Sequence, residues 1–314
     1  MAKDWWKASA RDIPRIVVEP PGPKSKTMHA SACRYFHGLS SQVKLFPVCF
    51  EEGHGITLTD VDGNKYLDFS SGIYVTSLGH SHPKISEAVA HWAKKLMNCH
   101  DFTTPVKDAL LQKMAAILPG KLNAIQFYSD GTAAVEAAIR AARAITNKHE
   151  FLSCFRDFHG KSMAAVSCAQ MSRGDVLSYG PTRAPGFYLV PRPDPYRPTF
   201  AKPDGTIDTD AYLRFYDTFI QEGTAGNVAA FVLEPAQGWG GSIFPPEDFF
   251  ASSSYGGNPM ACAAALASLE VIEEDLLANV RMSPPLIMDE KYAELGLSII
   301  EEAIAEVEKQ FGYR

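Results

Sequence analysis

Three short, nearly unbroken apolar runs constrain this chain most. They are Ile125-Gln126-Phe127-Tyr128, Phe151-Leu152-Ser153-Cys154-Phe155 and Ala229-Ala230-Phe231-Val232-Leu233. Runs of this length without strict alternation read as strands buried on both faces, the condition of a parallel sheet. Helical stretches lie between them, among them Ala133 to Ala144, directly after Ser129-Asp130-Gly131-Thr132. Strands and helices in alternation predict an α/β domain with a predominantly parallel sheet.

Other local patterns are equally directed. Gly55 to Phe69 reads as a β-hairpin whose apolar strands flank an Asp62-Gly63-Asn64 turn. Lys84 to Met97 carries Ile85, Val89, Trp92 and Leu96 at helical spacing. A last helix is expected from about Asp289, a suitable N-cap, through Leu295, Ile299, Ala303 and Val307. The first 27 residues read as an irregular arm, because Pro20-Pro21-Gly22-Pro23 opposes both helix and strand pairing.

A chain of 314 residues suits two domains or one large one, and a net charge of −6 argues against a nucleic-acid backbone as partner. A small-molecule substrate fits better. The six cysteines form no Cys-x-x-Cys pair, and apolar neighbours such as Val48 and Phe50 suggest buried free thiols in a reducing compartment. The N-terminus lacks a signal-peptide apolar core, and no apolar run nears the roughly 18 residues of a membrane span. The expected location is cytoplasmic, away from membranes.

Four motifs carry chemistry. Ser129-Asp130-Gly131-Thr132 opens a helix, so its amides and the Thr132 hydroxyl can receive an anion, although Asp-Gly-Thr serves equally as a structural N-cap. Phe158-His159-Gly160-Lys161 follows a strand, where an aromatic can stack on a ligand ring or simply join the core. Glu234-Pro235-Ala236-Gln237-Gly238 ends another strand, placing a carboxylate toward a pocket or toward solvent. Arg281, ahead of Pro284-Pro285, has a backbone rigid enough to aim its fork at a carboxylate, or lies on the surface beside a linker. His80-Ser81-His82 reads as a turn rather than a metal site, since no further His or Cys stands at ligand spacing.

In this order the pieces resemble the class III (ω-amino acid) pyridoxal-phosphate-dependent aminotransferases, of the 4-aminobutyrate aminotransferase type. The matching motifs are Asp62 to Asp68, Ser71-Gly72-Ile73, Leu78 to Pro83, Gly131 to Arg140, Phe158-His159-Gly160, Glu234 to Gly238, Gly256-Gly257-Asn258-Pro259 and Arg281 to Leu286. The resemblance implies the aspartate-aminotransferase-like fold (fold type I). Residues 1–68 would form an N-terminal arm and part of a small α+β domain, 69–266 the large cofactor domain, and 267–314 the remainder of the small domain. It also implies a homodimer or dimer of dimers with shared active sites.

Carried over by position, Gly131 and Thr132 would bind the phosphate of pyridoxal 5'-phosphate, Phe158 would stack on its ring, and His159 would line the same site. Ser254 stands where the family usually has Thr, whose hydroxyl reaches the neighbouring subunit's phosphate. Arg281 would take the keto acid's carboxylate, and Glu234 would neutralise Arg281 when an ω-amine enters. Lys161 falls where glutamate-using members have Arg. Ile73 replaces a Tyr of ornithine-type members, which leans toward 4-aminobutyrate-like donors.

Two departures stand out. From Pro203 to Glu290 there is no lysine, and that interval is where the family keeps its Schiff-base lysine. About 65 family residues are missing near 250/251, and a comparable block near 280/281. The expectation is therefore a longer parent that transaminates between an ω-amino acid and a 2-oxo acid such as 2-oxoglutarate, while this chain is inactive. The alternatives are a racemase or epimerase of the same fold, or a non-catalytic aminotransferase-like protein.

Overall fold

The computed structural model describes residues 5–36, 41–118, 123–169, 183–246, 249 and 290–311. It divides into two compact units, one of Met1–Phe102 with Ile272–Arg314, the other Thr103–Val271.

The first unit holds helices α1 (Pro23–Ala32) and α2 (Ser41–Leu45), an antiparallel sheet β1 (Phe50–His54), β2 (Thr57–Asp60) and β3 (Lys65–Leu67), then α3 (Ser71–Tyr74), α4 (Pro83–Lys95) and, from the far end of the chain, α9 (Glu290–Phe311). The expected hairpin is present, with Thr57 opposite Leu67 and Thr59 opposite Lys65. Its turn is tied by Asp60, whose carboxylate accepts from the Asp62 and Asn64 amides, the Asn64 side chain and the Tyr66 hydroxyl. Gly63 supplies the positive φ that this turn requires, +93°. Both chain ends share one core: Trp6, Ala10 and Ile13 pack with Ile56 and Tyr292, and the Tyr292 hydroxyl donates to the Ala10 carbonyl at 3.0 Å.

Several expectations for this unit change. The arm is not irregular throughout, because Pro23 begins α1; proline's fixed φ and missing N–H suit the first helical turn. Residues 69–102, expected with the large domain, group with the hairpin. Gly55 and His80 exchange backbone hydrogen bonds, and His80 Nε2 meets Asp68 Oδ2 at 2.7 Å. Helix α4 forms as expected, yet its apolar stripe is not a core face. Ile85, Val89 and Leu96 are 45%, 64% and 44% exposed, with no element of the described unit covering them. Cys33 is exposed at the end of α1, and Cys49 and Cys99 are half-buried; among the described cysteines burial is complete only for Cys154 and Cys168 in the other unit. Asp289, Cys262 and both expected seams lie outside the described residues.

The second unit contains α5 (Pro105–Ile117), α6 (Gly131–Thr146), β4 (Glu150–Cys154), α7 (Met163–Ser167), β5 (Phe187–Val190), α8 (Thr209–Glu222) and β6 (Val228–Val232). The three strands form a parallel sheet in the order β5-β4-β6. Central β4 is buried at every position, and its residues alternate between two cores. Leu152 and Cys154 pack with Val190, Val228 and α8 residues Tyr212 and Tyr216; Phe151 packs with Ile139 of α6, Cys168, Phe187 and Ala229. Burial drives the Cys154 thiol pKa upward and pushes that of Cys168 up to about 12, so both are inert packing groups.

The run Ile125 to Tyr128 is not a strand. A strand needs a neighbour to satisfy its amides, and none lies alongside among the described residues; Phe127 and Tyr128 are 42% and 37% exposed. No helix of the described residues is long and apolar enough to cross a membrane.

Candidate active site

Among the described residues, Thr132 is hydrogen-bonded to Lys161 and Phe158 to Glu234, next to the carboxyl ends of β4 and β6. Helix α6 starts where sequence places it. The Asp130 carboxylate caps it by accepting from the Ala133 amide at 2.9 Å and from the Ser129 hydroxyl, also at 2.9 Å. These bonds hold the Asp130 pKa below its ordinary value. A Cβ added at Gly131 would meet nothing within 4 Å among the described residues, so none of them crowds the first turn of α6 there. Thr132 faces the Phe158–Lys161 turn, and its Oγ1 accepts from the Lys161 amide at 3.2 Å. Gly160 makes that approach possible. Its φ is +125°, and any Cβ there would collide with the Thr132 side chain.

A second brace lies below. Glu136 of α6 accepts from the Ser162 hydroxyl and from the Ala164 and Ala165 amides at 2.9 and 3.2 Å, closing the start of α7. Burial alone would raise the Glu136 pKa, but these donors outweigh it and hold the group ionised.

Glu234, at the end of β6, ties two turns together. One carboxylate oxygen accepts from the Phe158 amide at 2.6 Å and the other from the Gly238 amide at 3.2 Å. Burial nevertheless raises its pKa, with nearby Asp157 adding repulsion against those two stabilising bonds. Asp157 is fully buried and accepts from the Cys154 amide and the Gln237 side chain. His159 Nε2 lies 3.4 Å from Asp157 but without hydrogen-bond geometry, leaving a buried ring nitrogen that has no partner among the described residues. Gln237 in turn accepts from Arg192, which also donates to the Gly240 carbonyl and pairs with Asp194 at 2.7 Å. Sequence reading missed Asp157, Arg192 and Trp239. The Trp239 ring lies 6.4 Å from that of Phe158, at 34°.

Ile73 belongs to the first unit and sits in a left-handed turn. Ser71, Gly72, Ile73 and Tyr74 have φ of 50°, 61°, 62° and 67°. This conformation is strained for a β-branched residue. Asp68 holds its entrance through the Ser70 and Ser71 amides. Ser254 and Arg281 lie outside the described residues.

The donor set suits the phosphate and ring of a pyridoxal-type cofactor. It combines a helix start that no described residue crowds, a hydroxyl beside it, a half-buried aromatic and an orphaned buried imidazole. Two features run the other way: Asp130 shares the helix end with any arriving anion, and no lysine stands between Pro203 and Glu290 to hold an aldehyde covalently.

Comparison with known proteins agrees with the fold. The family model for class-III aminotransferases matches residues 39–254. An alanine/serine racemase from Pyrococcus horikoshii is 31% identical over 247 residues, 76% of this chain and 52% of its own length. A 4-aminobutyrate aminotransferase from Mycobacterium bovis is 31% identical over 253 residues, 77% of this chain and 54% of its own. Among solved structures, a transaminase from the marine bacterium Virgibacillus superposes with a TM-score of 0.61 at 28% identity, covering 72% of this chain and 51% of that one. The chain thus spans about half the length of the curated relatives it matches. The matched span includes every strand of both sheets and the whole braced site, and on that ground the chain belongs to the class-III aminotransferase family.

Proposed function

We propose that the full protein transfers an amino group between an ω-amino acid of the 4-aminobutyrate kind and a 2-oxo acid such as 2-oxoglutarate, using pyridoxal 5'-phosphate. The observation that carries this reading is the docking of the Phe158–Lys161 turn onto Thr132 at the start of α6. That contact sets an anion-accepting helix end beside an aromatic ring, as a phosphorylated ring cofactor requires. When bound, the cofactor supplies the electron sink for the carbon that carries the amine.

The chain's own residues orient and hold. Gly131 and Thr132 receive the phosphate, Phe158 covers one ring face, and the orphaned His159 nitrogen offers a hydrogen bond within the site. Glu234 fixes the height of Phe158 through its amide and faces the substrate side, where Arg281 would take the keto acid's carboxylate. Lys161, Ile73 and Ser254 would complete the assignment carried over by position, with the Ser254 hydroxyl serving a neighbouring subunit, and the working form would then be a homodimer in the cytoplasm. Proton transfer at the substrate carbon needs a lysine, which this chain lacks between Pro203 and Glu290. Turnover is therefore expected only of a longer parent.

The test is a pyridoxal phosphate titration followed by absorbance and calorimetry. Thr132→Ala should weaken binding about tenfold, the effect of losing one hydrogen bond to a charged group. Unchanged affinity defeats the site assignment. Borohydride should fix cofactor at no single preferred lysine of this 314-residue chain, only sparsely over its scattered surface amines. In the parent, glutamate formed from 4-aminobutyrate and 2-oxoglutarate supports transamination, whereas loss of optical purity from L-alanine without a keto acid favours the racemase reading suggested by the Pyrococcus relative.

A further inference from the structure

The first turn of α6 already holds an anion of its own. The helix ladder begins with the Ala134 amide on the Asp130 carbonyl at 3.1 Å, so the Gly131, Thr132 and Ala133 amides have no helical carbonyl to bond. The Asp130 carboxylate takes the Ala133 amide at 2.9 Å. With the Ser129 hydroxyl and the Thr132 amide, that contact keeps it ionised. The Thr132 hydroxyl accepts from the Lys161 amide and so retains its own proton to donate. A phosphate arriving at this helix end would seek the same amides and that proton. It would meet a carboxylate standing on part of its seat.

A second helix of the same unit shows what is particular to α6. Helix α8 is capped in the same way, by Asp208 on the Ala211 amide at 2.9 Å. There a cation stands by: Arg214 Nη2 lies 4.0 Å from the Asp208 carboxylate. Among the described residues, Asp130 is answered by neutral donors alone. It is exposed, and no described residue crowds Gly131 beside it. Asparagine or serine would cap the helix about as well. What the carboxylate adds is a full negative charge at the approach to the helix end, of the same sign as a phosphate's.

We propose that Asp130 is an internal competitor for the anion seat of α6, a carboxylate that any incoming phosphate must displace or tolerate, and that it sets the affinity threshold of the site. The inference rests on the cofactor reading above, and its test keeps the two apart. The penalty is common to all phosphates. A free phosphate has only the helix end to hold it and falls below useful occupancy, whereas one carried on a ring keeps the ring's contacts as well. Asp130 thereby reserves the seat for phosphate borne on a larger ligand without touching the rest of that ligand.

The test titrates inorganic phosphate, pyridoxine 5'-phosphate and pyridoxine, none of which carries an aldehyde, into wild type, Asp130→Asn, Asp130→Ser and the matched control Asp208→Asn. Calorimetry reads the affinities. Asp130→Asn keeps the cap and removes the charge, so both phosphates should bind about tenfold tighter, with the gain shrinking as salt is raised. Asp130→Ser should repeat the gain, pyridoxine should show none, and Asp208→Asn should leave all three affinities at their wild-type values. Phosphate binding that is unchanged or weaker in both Asp130 variants overturns the proposal. So does an equal gain for pyridoxine, which would place the effect away from the phosphate, or an equal gain in Asp208→Asn, which would make it a matter of net charge. Tighter inorganic phosphate with no binding of pyridoxine phosphate in any variant defeats the cofactor reading and leaves the competitor standing. Binding of neither phosphate in any variant removes both.

Discussion

The two ends of β4 make an instructive pair. At the amino end, Glu150 is buried and fully answered: the Tyr188 hydroxyl and the Ala225 and Asn227 amides all donate to it, at 2.8, 3.1 and 2.9 Å. Burial alone would raise its pKa, but those donors prevail and lower it. The carboxyl end is equally polar and less settled. Glu234 has a raised pKa, and His159 keeps a buried nitrogen without a partner among the described residues. Trp239 is held outward there. The same strand is therefore closed for stability at one end and left chemically open at the other, the end at which open α/β sheets bind ligands.

Removing Glu150 gives the sharpest separation. Glu150→Ala should cost about 2–3 kcal/mol of folding stability, since buried donors lose a charged acceptor. Urea unfolding reads this directly. Pyridoxal phosphate affinity should be untouched; if it shifts, the two ends are not independent.

Acid-base behaviour should differ in sign between the ends, a smaller effect. Glu150's folded pKa is depressed, so its stabilisation is complete above the ordinary carboxylate range and is lost as pH falls through the depressed value. Glu234's is raised, so the folded state loses ground as pH climbs from the ordinary carboxylate range through the raised value. Glu234→Gln should remove that loss while abolishing one of the two turn bonds, because the side-chain amide nitrogen cannot accept from a backbone N–H. Unfolding midpoints measured across pH for wild type and both variants check the signs. Parallel profiles would abolish the contrast.

Sequence reading reached the parts of this site governed by local rules. The Asp130 cap, helix α6 and strands β4 and β6 follow from short-range pattern, and the structure shows each within a residue or two. The run at Ile125 was misread because apolar composition cannot show whether a neighbouring strand is there to pair. Strand β5 and helix α1 were not anticipated, and α1 was hidden by prolines that in fact begin it. The Asp157–Gln237–Arg192 chain joins residues 80 and 45 positions apart, separations that no periodicity spans. Trp239 gave one local signal, an aromatic among glycines just beyond a strand end, and it went unread. Ser254 and Arg281 lie outside the described residues.

The double grip of Glu234 has a kinetic consequence. The Phe158 and Gly238 amides share one carboxylate, so neither can stay sheltered once that group swings away. Under native conditions the two amides should take up deuterium with one common opening rate, although 80 residues separate them in sequence. Mass-resolved exchange would then show the two turns breathing together, so that anything that quiets one turn quiets the other.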